Sequence, residues 1–241
     1  MNYEDKDKTI YLYGDGIGKV QLVQAMGTDA TVVRSARVSF GKDQQNENLN
    51  ERDIKLINYL IKHKHTSTLE HCNVTFKFTV PLFVRSQHHR HRTWSYNEIS
   101  RRYTEENLQF YEPTEFRTQH KSNRQASNVE ELINPYILSY GRKASDAIKV
   151  YQNEAVNLYH ELMEAGVCRE QARGVLPQNL YTEYYGSANL NNILKFVDLR
   201  THEGAQWEIQ KAAEAVLDIV SDLFPITVKS YQNIRNEKHS S

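Results

Sequence analysis

The chain of 241 residues is long enough for one large domain or two small ones, with a sizeable buried core. Its 30 lysines and arginines balance 30 aspartates and glutamates, which argues against a protein that coats nucleic acid and suits a local cationic site for a small anion. Its two cysteines, Cys72 and Cys168, offer neither a disulfide framework nor a metal-ligand spacing, and no apolar run approaches the roughly 20 residues that span a bilayer.

The N-terminal MNYEDKDKTI lacks the apolar core of a signal peptide, so the expectation is a soluble cytoplasmic protein in a reducing compartment. TIYLY and KVQLVQAMG then flank GDGIG and predict two strands around a glycine-rich turn. A phosphate loop is the rival reading, but the glycine spacing fits neither the dinucleotide fingerprint nor a P-loop, and Val20 stands where Ser or Thr belongs. Arg52 to Lys62 places Ile54, Ile57, Leu60 and Ile61 on a helical stripe, and NVTFKFTV alternates as a strand. Pro81 suits the first turn of a helix PLFVRSQHHRHR, on which Phe83, Gln87 and Arg90 share one face and Arg85, His89 and Arg92 another.

Beyond it, Glu98, Ser100 and Arg102 recur at every second residue, so an extended backbone puts them on one side. Residues 113–134 are polar and read as an exposed excursion or lid. Ala144 to Ala165 predicts an amphipathic helix stopped at Gly166, REQARGVL a short helix ended by Pro177, and Asn189–Arg200 and Ala205–Leu223 two further helices. No repeat or heptad array is present. The reading is a single domain over 1–241 of the α/β (α+β) class with a helical C-terminal half.

The chemistry concentrates in QHHRHRTWSYNEISRRY, Gln87 to Tyr103, which holds four arginines and three histidines. No histidine forms a zincin-spaced pair with a carboxylate, and intervening arginines repel a dication, so no metal is expected. Arg90 and Arg92 are fork-shaped donors suited to phosphate, and Trp94, Tyr96 and Tyr103 interleave with the charge more than a solvated face requires. Arg169 and Arg173 stand one helical turn apart, and Arg200 ends LKFVDLR, where a helix dipole alone would account for a cation. Neither cysteine has a general base beside it in sequence, and no nucleophile elbow occurs.

RHRTWSYNEIS, Arg90 to Ser100, is RHR followed by seven residues and serine, and it resembles the signature of flavin-dependent thymidylate synthases. The resemblance extends through RSARVSFG, KHTSTLEH, VPLFVRSQHHRHR, FRTQHKSNRQAS, REQARGVLP, LYTEYYGSANLNNILKFVDLR and AQWEIQ, in order over nearly the whole chain. It implies reductive methylation of dUMP to dTMP, with 5,10-methylenetetrahydrofolate as carbon donor, NADPH as reductant and FAD as hydride carrier. It also implies a central, mostly antiparallel sheet flanked by helices and a homotetramer whose sites are shared between subunits.

By the same resemblance, Arg200 is the catalytic arginine that polarises uracil. The dUMP ligands are Gln87, His88, His89, Arg90, Glu98, Ser100, Arg101, Arg102 and Arg173, together with Arg200. The FAD ligands are His65, Ser67, Arg90, His91, Arg92, Glu98, Asn189, Leu190 and Asn191. Ser100 reads as a binding hydroxyl, because no adjacent base activates it. Two positions depart from the pattern: Lys195 replaces an asparagine of relatives, and Gly204 a frequent histidine. The rival functions are a flavin-dependent NADPH oxidoreductase and a non-catalytic nucleotide or RNA binder.

Overall fold

The computed structural model describes residues 8–39, 41, 48–100, 108–124 and 126–239. The expected hairpin is present. β1 (Thr9–Tyr11) pairs antiparallel with β2 (Lys19–Met26), and the Asp15 carboxylate closes the turn by accepting from the backbone N–H groups of Ile17 and Gly18. Gly14 and Gly16 take positive φ there, which only glycine adopts cheaply.

α1 (Asp29–Val38) and α2 (Glu51–Lys62) follow. α2 opens on a reciprocal capping box between Asn50 and Asp53 and closes on a Schellman turn, in which His65 N–H donates to Leu60 and Lys64 N–H to Ile61. Lys64 supplies the left-handed residue of that turn at φ 57, a position that glycine usually fills.

A 3-10 segment (Thr66–His71) leads into β3 (Asn73–Pro81), where alternation buries Val74, Phe76, Phe78 and Val80. Each of the two wholly buried phenylalanines contributes roughly 1.5–3 kcal/mol by burial. α3 (Leu82–His88) then runs to β4 (Ser95–Glu98). This helix is shorter than PLFVRSQHHRHR predicts. The Tyr96 hydroxyl shares its one proton between the carbonyls of His88 at 2.8 Å and His91 at 3.0 Å, engaging acceptors that a longer helix would have used, and residues 89–90 and 92–93 form turns.

The polar excursion forms an antiparallel pair, β5 (Phe116–Gln119) and β6 (Ser127–Ile133), and a second small antiparallel pair, β7 (Tyr136–Ile137) and β8 (Arg142–Lys143), follows it. α4 (Ala144–Glu164) and α5 (Arg169–Ala172) pack with Leu176 and Leu180 around Tyr159, forming a second, smaller core.

β9 (Tyr181–Asn189) is a strand that hydropathy did not predict, and it inserts between β3 and β4. The main sheet therefore runs β1-β2-β3-β9-β4, with every neighbouring pair antiparallel. α6 (Leu190–Arg200), α7 (Trp207–Leu223) and α8 (Pro225–His239) complete the chain. The main core joins inward residues of the sheet to α1, α2, α6, α7 and α8. The expected mixed fold, an antiparallel sheet with helices and a mainly helical C-terminal half, is what the chain forms. No described helix is long and apolar enough to cross a membrane.

Candidate active site

Three groupings gather part of the candidate set. The first joins the ends of α3 and α6. Arg200 donates from Nε to Nε2 of His91 at 2.9 Å and from a terminal nitrogen to the backbone carbonyl of Gln87 at 3.1 Å. Because His91 accepts through Nε2, its ring is neutral with the proton on Nδ1. Burial, and then the adjacent Arg200 cation, lowers its pKa to about 4. Burial also pulls the Arg200 guanidinium below its ordinary value. Two of the five N–H groups of Arg200 are engaged, and among the described residues no carboxylate pairs with it. The Gln87 side chain meets Gln206, with Nε2 donating to Oε1 at 2.5 Å.

The second grouping is a cleft of about 600 Å³ lined by Arg85, Glu98, Ser100, Glu170, Arg173, Tyr181 and Thr182, among others. Glu98, near the end of β4, accepts from the Thr182 hydroxyl at 2.7 Å and lies 3.3 Å from Nε of Arg85. Glu98, Ser100 and Arg173 thus line one cleft, and Arg85 joins them there.

Arg85 and Gln87 are two residues apart on one helix, roughly 200° around its axis, so the two groupings leave α3 on different sides. His89 lies on the side of Arg85 and Glu98, half-buried against Tyr96 at 4.2 Å between ring centroids, with burial lowering its pKa.

A third cavity, of about 510 Å³, lies between the end of α2, α6 and α8. Leu60, Ile61, Leu69, Leu194 and Ile234 give it an apolar lining, while Lys64, His65, Asn191, Lys195, Asp198 and Arg235 supply polar groups. Asn191 is held by donating to Glu70 at 3.0 Å, and Arg235 lies 3.6 Å from Asp198, which also accepts from Tyr231. Volume, apolar lining and exposed cations suit a flat ring system carrying anionic groups, so the residues fit a flavin.

Other candidates lie outside these cavities. His88 is 1% exposed: its Nδ1 meets the Tyr184 hydroxyl at 2.9 Å, and Phe78, Trp94 and Phe196 enclose the ring. Burial drives its pKa well down. It is a core histidine, which corrects its expected place among the dUMP ligands. Leu190 is likewise wholly buried in the core, which corrects its side chain's expected contact with FAD, and the Asn189 side chain is committed to capping α6 through Asn192 N–H. Arg90 and Arg92 are exposed on the turn after α3, and Ser67 is exposed on the 3-10 segment; none of the three lines a cavity described above. The expectations for Arg101 and Arg102 fall outside the described residues.

Among the described residues no cluster of three potential metal ligands occurs. Cys72 is wholly buried, and burial pushes its thiol up to about 12, so it does not form a thiolate near neutrality. Tyr181, Thr182, Gln206 and Glu208 were missed because they reach the site by strand pairing and helix packing across more than 80 residues of chain.

The family model described as "Thymidylate synthase complementing protein" matches residues 21–226. A flavin-dependent thymidylate synthase of Thermus thermophilus is 44% identical over 217 residues, covering 89% of this chain and 76% of the relative. That of Thermotoga neapolitana is 40% identical over 214 residues, covering 89% and 90%. The crystal structure of a UMP/dUMP methylase, PolB from Streptomyces cacaoi, bound with 5-Br dUMP, is similar at a TM-score of 0.76 and 30% identity, covering 93% of this chain and 97% of that one. With matches over most of its length in both sequence and fold, the chain belongs to the flavin-dependent thymidylate synthase family and is an enzyme of it.

Proposed function

We propose that this enzyme reductively methylates dUMP to dTMP, taking the carbon from 5,10-methylenetetrahydrofolate and the electrons from NADPH through FAD. The observation that carries the reading is Arg200. It is a half-buried guanidinium oriented by a neutral imidazole and a carbonyl, with no carboxylate partner among the described residues. Its remaining N–H groups are available to negative charge developing on a uracil edge, and preorganised charge of this type is usually the largest catalytic contribution. Cys72 is a buried thiol, and Cys168, although exposed, lines neither the cleft nor the third cavity, so ring activation by charge stabilisation is favoured over thiolate attack.

FAD would be held by the third cavity. His65 and the apolar lining suit its ring system, and Lys64, Lys195 and Arg235 its pyrophosphate. Bound there, the flavin supplies the hydride chemistry that no side chain provides. Lys195, the departure from the family pattern, adds a cation to this lining.

The nucleotide would lie between Arg200 and Gln87 of one subunit and the cleft of Glu98, Ser100 and Arg173 of another. The divergence of Arg85 and Gln87 around α3 supports a site completed by a second copy in a homotetramer. A cytoplasmic location fits this reading.

Tritium release from dUMP labelled at ring carbon 5, measured with and without methylenetetrahydrofolate, tests the reaction. Folate- and NADPH-dependent release from a yellow, flavin-containing preparation is expected. NADPH oxidation with no release identifies a plain flavin oxidoreductase, and a colourless protein that FAD cannot reconstitute identifies a nucleotide binder.

A further inference from the structure

Gln206 occupies the N-cap of α7, yet its side chain makes no cap hydrogen bond. N-caps favour short Ser, Thr, Asp or Asn side chains that reach back to the helix N–H groups, so this glutamine is not serving the usual purpose. It reaches instead to two other glutamine and glutamate side chains. Its Nε2 donates to Oε2 of Glu208 at 2.9 Å, and its Oε1 accepts from Nε2 of Gln87 at 2.5 Å.

Glu208 is 4% exposed and accepts on its other oxygen from Arg117 at 2.6 Å and from the Tyr111 hydroxyl at 3.2 Å. An acidic residue in the first turn of α7 helps the helix dipole, but an exposed glutamate would do that equally well. Burial against three donors requires a further reason.

The polarity of this chain of amides follows from its chemistry, whichever way an amide is drawn. A carboxylate only accepts hydrogen bonds, so Gln206 must turn its nitrogen to Glu208. That leaves the Gln206 oxygen facing Gln87, which must answer with nitrogen. The Gln87 oxygen is thereby set on the other branch of its amide as an acceptor. The backbone carbonyl of the same Gln87 receives Arg200.

We propose that Glu208 is a positioning residue: through Gln206 it fixes which edge of the Gln87 amide meets the nucleotide, and it braces the end of α3 that holds Arg200. The hairpin bearing Arg117 completes the arrangement from the far side. The proposal rests on the reading of Gln87 as a nucleotide contact.

The test is a double-mutant cycle on the holoenzyme, reading the dUMP dissociation constant by calorimetry together with KM, kcat and melting temperature. Glu208→Gln removes the acceptor-only anchor. Gln206→Leu breaks the relay while leaving the Arg117–Glu208 pair intact, so it carries the test if Glu208→Gln fails to fold. Each is expected to raise the dissociation constant and KM for dUMP about tenfold, the size of one well-made hydrogen bond. Neither should weaken binding further when Gln87 is already alanine.

Tyr13→Phe, which removes a 3.1 Å bond to the Glu208 backbone carbonyl, serves as a neighbouring control and should leave KM unchanged. Equal effects in the presence and absence of the Gln87 side chain, or a lowered melting temperature with unchanged dUMP affinity, overturn the relay. If Gln87→Ala alone leaves dUMP affinity at the wild-type value, the nucleotide role of Gln87 is what fails, and the proposal falls with it.

Discussion

Arg200 and His91 are joined by a 2.9 Å hydrogen bond in which the guanidinium Nε donates to an imidazole that stays neutral. Both His91 and the core residue His88 bind protons less readily in the folded protein than the ~6.5 of an unfolded histidine. Stability contributed by these groups is therefore level above pH ~6.5 and falls as pH drops, because the unfolded chain takes up protons first. For His91 the decline continues to about 4, where the folded ring protonates as well and its bond from Arg200 is lost. Melting temperatures from pH 4 to 8 should show this decline, and His91→Asn should make it shallower. A protein whose melting temperature rises on acidification through this window would refute the account.

Arg200→Ala is expected to lower kcat by about 10²- to 10³-fold, the range for removing one preorganised donor to developing charge. Bound flavin and the fold should persist, since Arg200 lines neither cavity described above. Arg200→Lys should recover little, because a single ammonium nitrogen does not reproduce the planar fork whose separate nitrogens reach the ring of His91 and the carbonyl of Gln87. Wild-type tritium release by either variant sinks the ring-activation role.

Replacing both cysteines by alanine should leave turnover in place. Cys72 is wholly buried and its Sγ lies 3.8 Å from the Thr28 carbonyl, so its removal should cost roughly 1 kcal/mol of stability. A folded, flavin-loaded double variant without activity would contradict a mechanism independent of thiolate.

Lys64 combines two demands at one position. Its left-handed backbone favours glycine, so Lys64→Gly should stabilise the protein by about 1 kcal/mol and raise its melting temperature by a few degrees. The same change removes a cation from the cavity assigned to the flavin, and FAD affinity measured by fluorescence quenching should weaken several-fold. Tighter FAD binding after the substitution would place the cofactor elsewhere.

Arg117→Leu leaves Glu208 buried without its charge partner. A loss of about 3 kcal/mol is expected in urea unfolding, as for breaking a buried ion pair from one side. Hydrogen exchange should accelerate across residues 116–133, because Arg117 also donates to Ser127 and lies over the Trp207 ring at 5.0 Å. Unchanged exchange there would mean that the hairpin is anchored by other contacts.

How much of this was readable from residues alone follows from how local each signal is. β3, α2, α4 and the GDGIG turn announce themselves through periodicity, capping or glycine, and the structure places them where those signals lie. β9 does not, because its inward residues Thr182, Tyr184, Gly186 and Ala188 carry little apolar bulk, and that face is recognisable only beside Phe76 and Phe78. α8 is capped by Asp29, whose carboxylate accepts from the N–H groups of Ile226 and Thr227 nearly 200 residues downstream. Among the candidate residues, motifs single out Gln87, Glu98, Ser100, Arg173 and Arg200. The burial of His88 and the relay from Glu208 depend on contacts between distant segments that no spacing rule encodes.

The insertion of β9 between β3 and β4 also dictates the order in which the protein acquires its shape during synthesis. β4, which carries Glu98, has its ladder on Tyr184 to Ser187, about 90 residues later in the chain. A nascent polypeptide that has released only the arginine-rich segment has nothing on which to lay that strand. Closing so distant a pairing is entropically slow, so competence to bind nucleotide arrives late, after the C-terminal half has left the ribosome. Truncation products ending before Tyr181 are consequently left with an open edge on β3, prone to pair with other chains.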